Sequence, residues 1–114
     1  MNFFDVEIKG DKAVHPCFTM PLTEQEQQML SAHQGKTVVL GVRPENIATG
    51  GDVDVTVFSN ENLGMNTLVH GRLSAAVAIT CKLRGWCDYK SGDHVQVKFE
   101  KRHFFDKETT NAIR

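Results

Sequence analysis

The chain has 114 residues, with 13 Lys and Arg against 14 Asp and Glu and a formal net charge of −1. Such a length reads as one ordinary domain, 1–114, large enough to bury a core without metals or crosslinks, and the near-neutral balance removes the positive field that nucleic acid or anionic lipid would require. No run approaches the roughly eighteen apolar residues of a membrane span, and Cys17, Cys81 and Cys87, an odd set without Cys-x-x-Cys spacing, read as reduced thiols.

Met1-Asn2-Phe3-Phe4-Asp5 has neither the basic nor the apolar stretch of an export signal, so the expected location is cytoplasmic. Phe3-Phe4 and, at the far end, Phe104-Phe105 are the densest aromatic pairs and read as core packing. His15 and Cys17 lie two apart but lack the second close pair that a structural zinc site uses. Thr23-x-x-Glu26 is a capping box and predicts one short surface helix over about 24–33, stopped by Gly35 and offering only Met29, Leu30 and Ala32 for burial.

Val38, Leu40 and Val42 alternate as a strand that runs into Arg43-Pro44-Glu45. Pro44 fixes φ, gives up a backbone donor and biases Arg43 toward an extended conformation, so the strand can persist through Arg43 and must then turn. Gly41 would let a neighbour approach closely. Arg43 and Glu45 bracket the corner, either as a local ion pair or as contacts to a second subunit. Gly50-Gly51 then marks an expected turn.

Val53, Val55 and Val57 face one way and Asp52, Asp54 and Thr56 the other, the mark of a half-buried strand. Asn60 to Gly64 reads as a turn, His70 falls on the face opposite Val69 and Gly71, and alternation returns at Val77, Ile79, Cys81 and Leu83. After a turn at Ser91-Gly92-Asp93, Val95, Val97 and Phe99 form a last strand with Gln96, Lys98 and Glu100 opposite. Short strands with one wet face predict a mainly β chain, an OB-like antiparallel β-barrel carrying one helix.

Catalytic chemistry finds little support. No Gly-x-x-x-x-Gly-Lys-Ser/Thr loop occurs to cradle phosphates and hold magnesium. The five histidines stand singly, none beside a Ser or Cys at a recognised motif spacing. The expectation is a non-enzymatic domain with no cofactor or metal of its own.

Leu40-Gly41-x-Arg43-Pro44-Glu45 resembles the signature of the C-terminal regulatory domain in the ATP-binding subunits of sugar-import ABC transporters, the maltose and glycerol-3-phosphate type. Further landmarks follow in that family's order: Glu61-x-Leu63-Gly64, Gly92-Asp93-x-Val95, and a close, His103-Phe104-Phe105-Asp106-x-Glu108-Thr109, similar to His-x-Phe-Asp-x-x-Thr-Gly. Met1-Asn2-Phe3 looks like the junction at which such subunits leave their ATPase domain. Asn46 stands where a His is common, and Thr110 replaces the usual Gly.

The resemblance implies a transport-associated (TOBE-type) OB-like domain that follows an ATPase domain, pairs with a second copy of its subunit and regulates hydrolysis. Gly41, Arg43, Pro44, Glu45, Glu61 and Gly64 become the candidate interface or regulatory residues. ATP and Mg²⁺ would belong to the full-length protein, which would sit at the inner face of the cell membrane against permease subunits and meet a cytosolic regulator. Two rivals carry different chemistry: a molybdate-type oxyanion module, for which Asn66-Thr67 is a poor imitation of the expected segment, and an OB-type nucleic-acid binder, which the neutral charge disfavours.

Overall fold

The computed structural model describes residues 1–113. Its described residues are mainly β: two antiparallel sheets and one short α-helix, in keeping with the class read from the alternation. The chain forms two compact units, one running from Phe3 to Gly41 and resuming at Arg102, the other spanning Val42–Lys101 with Met1–Asn2.

The first unit carries the five-stranded sheet. Strands β1 (Asn2–Lys9), β2 (Lys12–His15) and β3 (Phe18–Pro21) form a meander, β4 (Thr37–Val42) lies beside β1, and β9 (His103–Asp106) lines the edge in the order β3-β2-β1-β4-β9. Alternation explains the aromatic pairs. Phe4 and Phe104 are buried, whereas Phe3 is exposed and meets half-buried Phe105 edge-on, with centroids 6.2 Å apart.

Helix α1 (Glu24–Met29) starts where the capping box places it: the Glu26 amide donates to Thr23 Oγ1 at 3.1 Å and the Thr23 amide to Glu26 Oε1 at 3.0 Å. It ends at Leu30, which is fully buried, and a 3-10 turn over Ser31–His33 completes the expected segment. Gln27 Nε2 donates back to Leu22 O, so a hydrogen bond holds the helix entry where no hydrophobic staple is possible.

The second unit carries β5 (Ile47–Asn62), β6 (Asn66–Ser74), β7 (Val77–Arg84) and β8 (His94–Phe99) in the order β7-β6-β5-β8. Valines at 53, 55, 57, 69, 95 and 97 are buried with Ile79, Cys81 and Leu83. The wet face is where alternation puts it, with Asp52, Asp54, Gln96 and Lys98 exposed.

One expectation fails here. Gly50-Gly51 is a bulge inside the 16-residue strand β5 rather than a turn: the register against β8 slips between Thr49 and Val53, both of which face Val97. Gly50 takes φ +95°, and a Cβ on Gly51 would lie 2.2 Å from Val97 O. A bulge needs positive φ and close backbone approach as much as a turn does, and β8 supplies the partner that keeps the strand continuous. Bent there, β5 gives its first part to β8 and its second to β6.

Candidate functional site

The corner after β4 is built as its residues dictate. Arg43 is extended (φ −73°, ψ 146°), Pro44 opens a 3-10 turn over Pro44–Asn46, and Asn46 N–H closes it on Arg43 O at 2.9 Å. Arg43 and Glu45 are exposed, and among the described residues neither side chain forms an ion pair or hydrogen bond, so they do not neutralise each other. Gly41, one strand position before Val42, is buried opposite His103 of β9.

Glu61 and Gly64 lie at the far end of β5, in the hairpin that leads to β6. Glu61 faces Leu68 across the ladder and brings Oε1 to 3.7 Å from His70 Nε2. Gly64, at φ +91°, donates its N–H to Asn62 Oδ1, while Leu63 N–H bonds Asn66 O. Leu63 and Met65 are thereby thrown outward on the hairpin tip.

Between the start of β5 and the end of β7 lies a cleft of about 680 Å³ that Glu45 lines from the corner and Asn66 from the start of β6. Glu45 thus shares the cleft with Asn66, two positions past Gly64, whereas Gly41, Arg43, Pro44, Glu61 and Gly64 do not line it. Lys82 and Arg84 of β7, Glu100 and Tyr89 complete its polar surface. Sequence reasoning missed these four, because each sits on a strand's wet face or in an irregular segment where solvation is the ordinary fate.

The segment that brings Tyr89 in is pinned by one buried hydroxyl. Thr67 Oγ1 donates to Gly85 O at 2.8 Å and accepts from Cys87 N–H at 2.9 Å, and Asn60 Nδ2 donates to Cys87 O. Burial first, then Cys87 and Asp93 beside it, hold the Tyr89 hydroxyl above its ordinary pKa. At the opposite end of β7, the Asn2 side chain accepts from Thr80 N–H at 2.9 Å and donates to Thr80 O at 2.8 Å, acting as one residue of an added strand.

Four of the five histidines engage carboxylates or backbone: His94 meets Asp54 at 3.0 Å, His33 meets Asp106 and His70 meets Glu61 at 3.7 Å each, and His15 Nδ1 accepts the Cys17 amide. Cys81 is buried, which pushes its thiol up to about 12. Among the described residues no three His, Cys, Asp or Glu side chains are gathered closely enough to hold a metal ion. Nor, among the described residues, is any helix long and apolar enough to cross a membrane.

Residues 1–47 match the family model described as the MalK OB fold domain. Over its whole length the chain is 32% identical to the multiple sugar-binding transport ATP-binding protein MsmK of Streptococcus mutans, covering 34% of that protein. It is 28% identical to the sn-glycerol-3-phosphate import ATP-binding protein UgpC of Bordetella avium, with 99% of this chain and 33% of the relative aligned. The oligosaccharides import ATP-binding protein MsmX of Bacillus subtilis is 27% identical across the full chain and 34% of its own length. The chain therefore spans about a third of the curated relatives it matches.

Proposed function

We propose that this chain is the C-terminal, transport-associated OB-type domain of the ATP-binding subunit of a sugar-import ABC transporter, where it pairs with a second copy and regulates hydrolysis. The observation that carries this reading is its similarity, end to end, to a third of three transport or import ATP-binding proteins, joined to a match of its first 47 residues to an OB-fold domain model. ATP and Mg²⁺ then belong to an ATPase domain outside this chain, as do contacts to the membrane permease. The exposed, unpaired Arg43 and Glu45 suit an intersubunit contact.

Pairing of two such domains would hold the ATPase halves together while their nucleotide sites open and close, making closure effectively intramolecular. A cytosolic regulator that binds only the open arrangement would then inhibit import by its differential affinity for the two states. The test is a subunit in which this chain follows its ATPase domain, compared with the same subunit truncated before Met1. Loss of dimerisation and of controlled hydrolysis on truncation is expected, and a Glu45→Ala subunit should fold normally yet pair more weakly. Unchanged dimerisation and control after truncation would sink the proposal.

A further inference from the structure

The cleft beside the corner holds four charged side chains that no other side chain among the described residues neutralises. Glu45 and Glu100 stand on one rim, their backbones joined through Glu100 N–H to Asn46 O at 2.8 Å. Lys82 and Arg84, two apart on β7 and so on one face about 7 Å from each other, line the β7 side of the same cleft, against which the Pro44–Asn46 turn packs. Among the described residues none of the four makes an ion pair or a side-chain hydrogen bond. Opposite charges sharing a cleft without pairing leave both kinds of group free for a ligand.

The backbone adds donors on the cationic rim. Residues of an antiparallel strand point their N–H and C=O alternately toward and away from a given neighbour. On β7 the Thr80 pair points away from β6, because Asn2 takes both of its groups. Lys82 and Arg84 share that phase, so their N–H groups also face away from β6, on the side of β7 where the Pro44–Asn46 turn packs. Two amides, an ammonium and a guanidinium on one rim suit a phosphoryl group.

The acidic rim suits something else. Carboxylates accept hydrogen bonds only, and Asn66 and Thr49 lie in the same lining. Such a set matches the hydroxyls of a polyol and repels a bare anion. The volume of about 680 Å³ falls within the size of small-molecule sites.

We propose that this cleft binds a phosphorylated sugar, its phosphate on Lys82, Arg84 and the β7 edge and its hydroxyls on Glu45, Glu100 and Asn66. The site stands independently of the transporter reading, since binding is measured on this chain alone and needs no ATPase activity.

The test is calorimetric titration of the 114-residue chain with glucose 6-phosphate, glucose and inorganic phosphate. The ester should bind more tightly than either half. Arg84→Gln, an exposed position, should weaken the ester and inorganic phosphate alike by about tenfold or more, the scale of a charged hydrogen bond. Glu100→Gln should weaken the ester severalfold while leaving inorganic phosphate unchanged or tighter. Absence of saturable binding of the ester at millimolar concentration overturns the proposal, as does an ester affinity no better than that of inorganic phosphate or untouched by Arg84→Gln.

Discussion

Glu26 does two jobs, and its removal should cost more than either alone. Its Oε1 accepts the Thr23 amide at 3.0 Å as half of the capping box, and its two carboxylate oxygens receive the Arg102 fork, Nε on Oε2 at 3.0 Å and Nη2 on Oε1. The pair is well covered, with side chains only 12% and 13% exposed. In Glu26→Ala the lost cap costs about 1 kcal/mol. Leaving a covered guanidinium without its partner costs about 3 kcal/mol, the lower end for a broken buried pair, because a frayed α1 would admit water.

Urea denaturation should therefore show a loss of about 4 kcal/mol for Glu26→Ala, against about 1 kcal/mol for Thr23→Ala, which removes only the cap. Glu26→Gln keeps a side chain able to close the box and should fall between them. The double variant Glu26→Ala, Arg102→Met should recover part of the loss, since it removes the orphaned cation. The reasoning is refuted if Glu26→Ala matches Thr23→Ala within about 0.5 kcal/mol, or if the double variant is no more stable than the single.

Thr110 is the non-glycine residue found at positive φ, +62°, among those described. A β-branched side chain there is strained by about 1–2 kcal/mol. Its hydroxyl recovers part by donating to Thr109 O, so Thr110→Gly should raise stability by about 0.5–1 kcal/mol, and a lower melting temperature would count against the strain. Asp106, in the same turn, accepts the Thr109 and Glu108 amides at 3.0 and 2.9 Å, which with His33 nearby holds its pKa below the ordinary 3.8. A depressed folded value means stability that is complete above the unfolded pKa and lost as pH falls through the folded one. Asp106→Asn should flatten the fall in stability below about pH 4, and an unchanged slope in acid titrations followed by circular dichroism would remove Asp106 from that account. Cys81 should resist a thiol reagent at pH 8 or so until the chain unfolds, whereas half-buried Cys17 and Cys87 react in the native state; three equally fast thiols in a timed labelling experiment would contradict its burial.

Local chemistry was the legible part of this sequence. The Thr23-Glu26 capping box, the extended Arg43 before Pro44, and the alternation of Val53 to Val57 and Val95 to Phe99 each depend on neighbours within a few positions, and each stands in the structure. Strands β1 to β3 and β9 give weaker signals, because they carry only one to three buried residues apiece. Gly50-Gly51 misled because glycine reports a positive φ without saying whether the chain reverses; that answer sits in β8, more than forty residues on. Phe3-Phe4 reads in sequence as two core residues, yet the pleat can bury only one.

The site was less legible than the fold for a related reason. Glu45 was singled out by the corner, but Lys82, Arg84 and Glu100 looked like any solvated charges on alternate strand positions. Their convergence depends on the bend in β5, which no local pattern encodes. The local ion pair expected of Arg43 and Glu45 could be checked only in three dimensions, where both side chains stand exposed and unpaired among the described residues.

The hydrogen bond from Glu100 N–H to Asn46 O also has a meaning for how the chain folds. β4 and its partner β9 pair Gly41 with His103, so their meeting must close a loop of roughly sixty residues. Once β5 and β8 zip together at Asn46 and Glu100, that loop shrinks to about eight effective residues, lowering its closure entropy by about 2 kcal/mol. A lesion confined to β5 or β8 should then slow the completion of the five-stranded sheet, and during synthesis β4 must wait with one flank bare until the ribosome has delivered the rest of the chain.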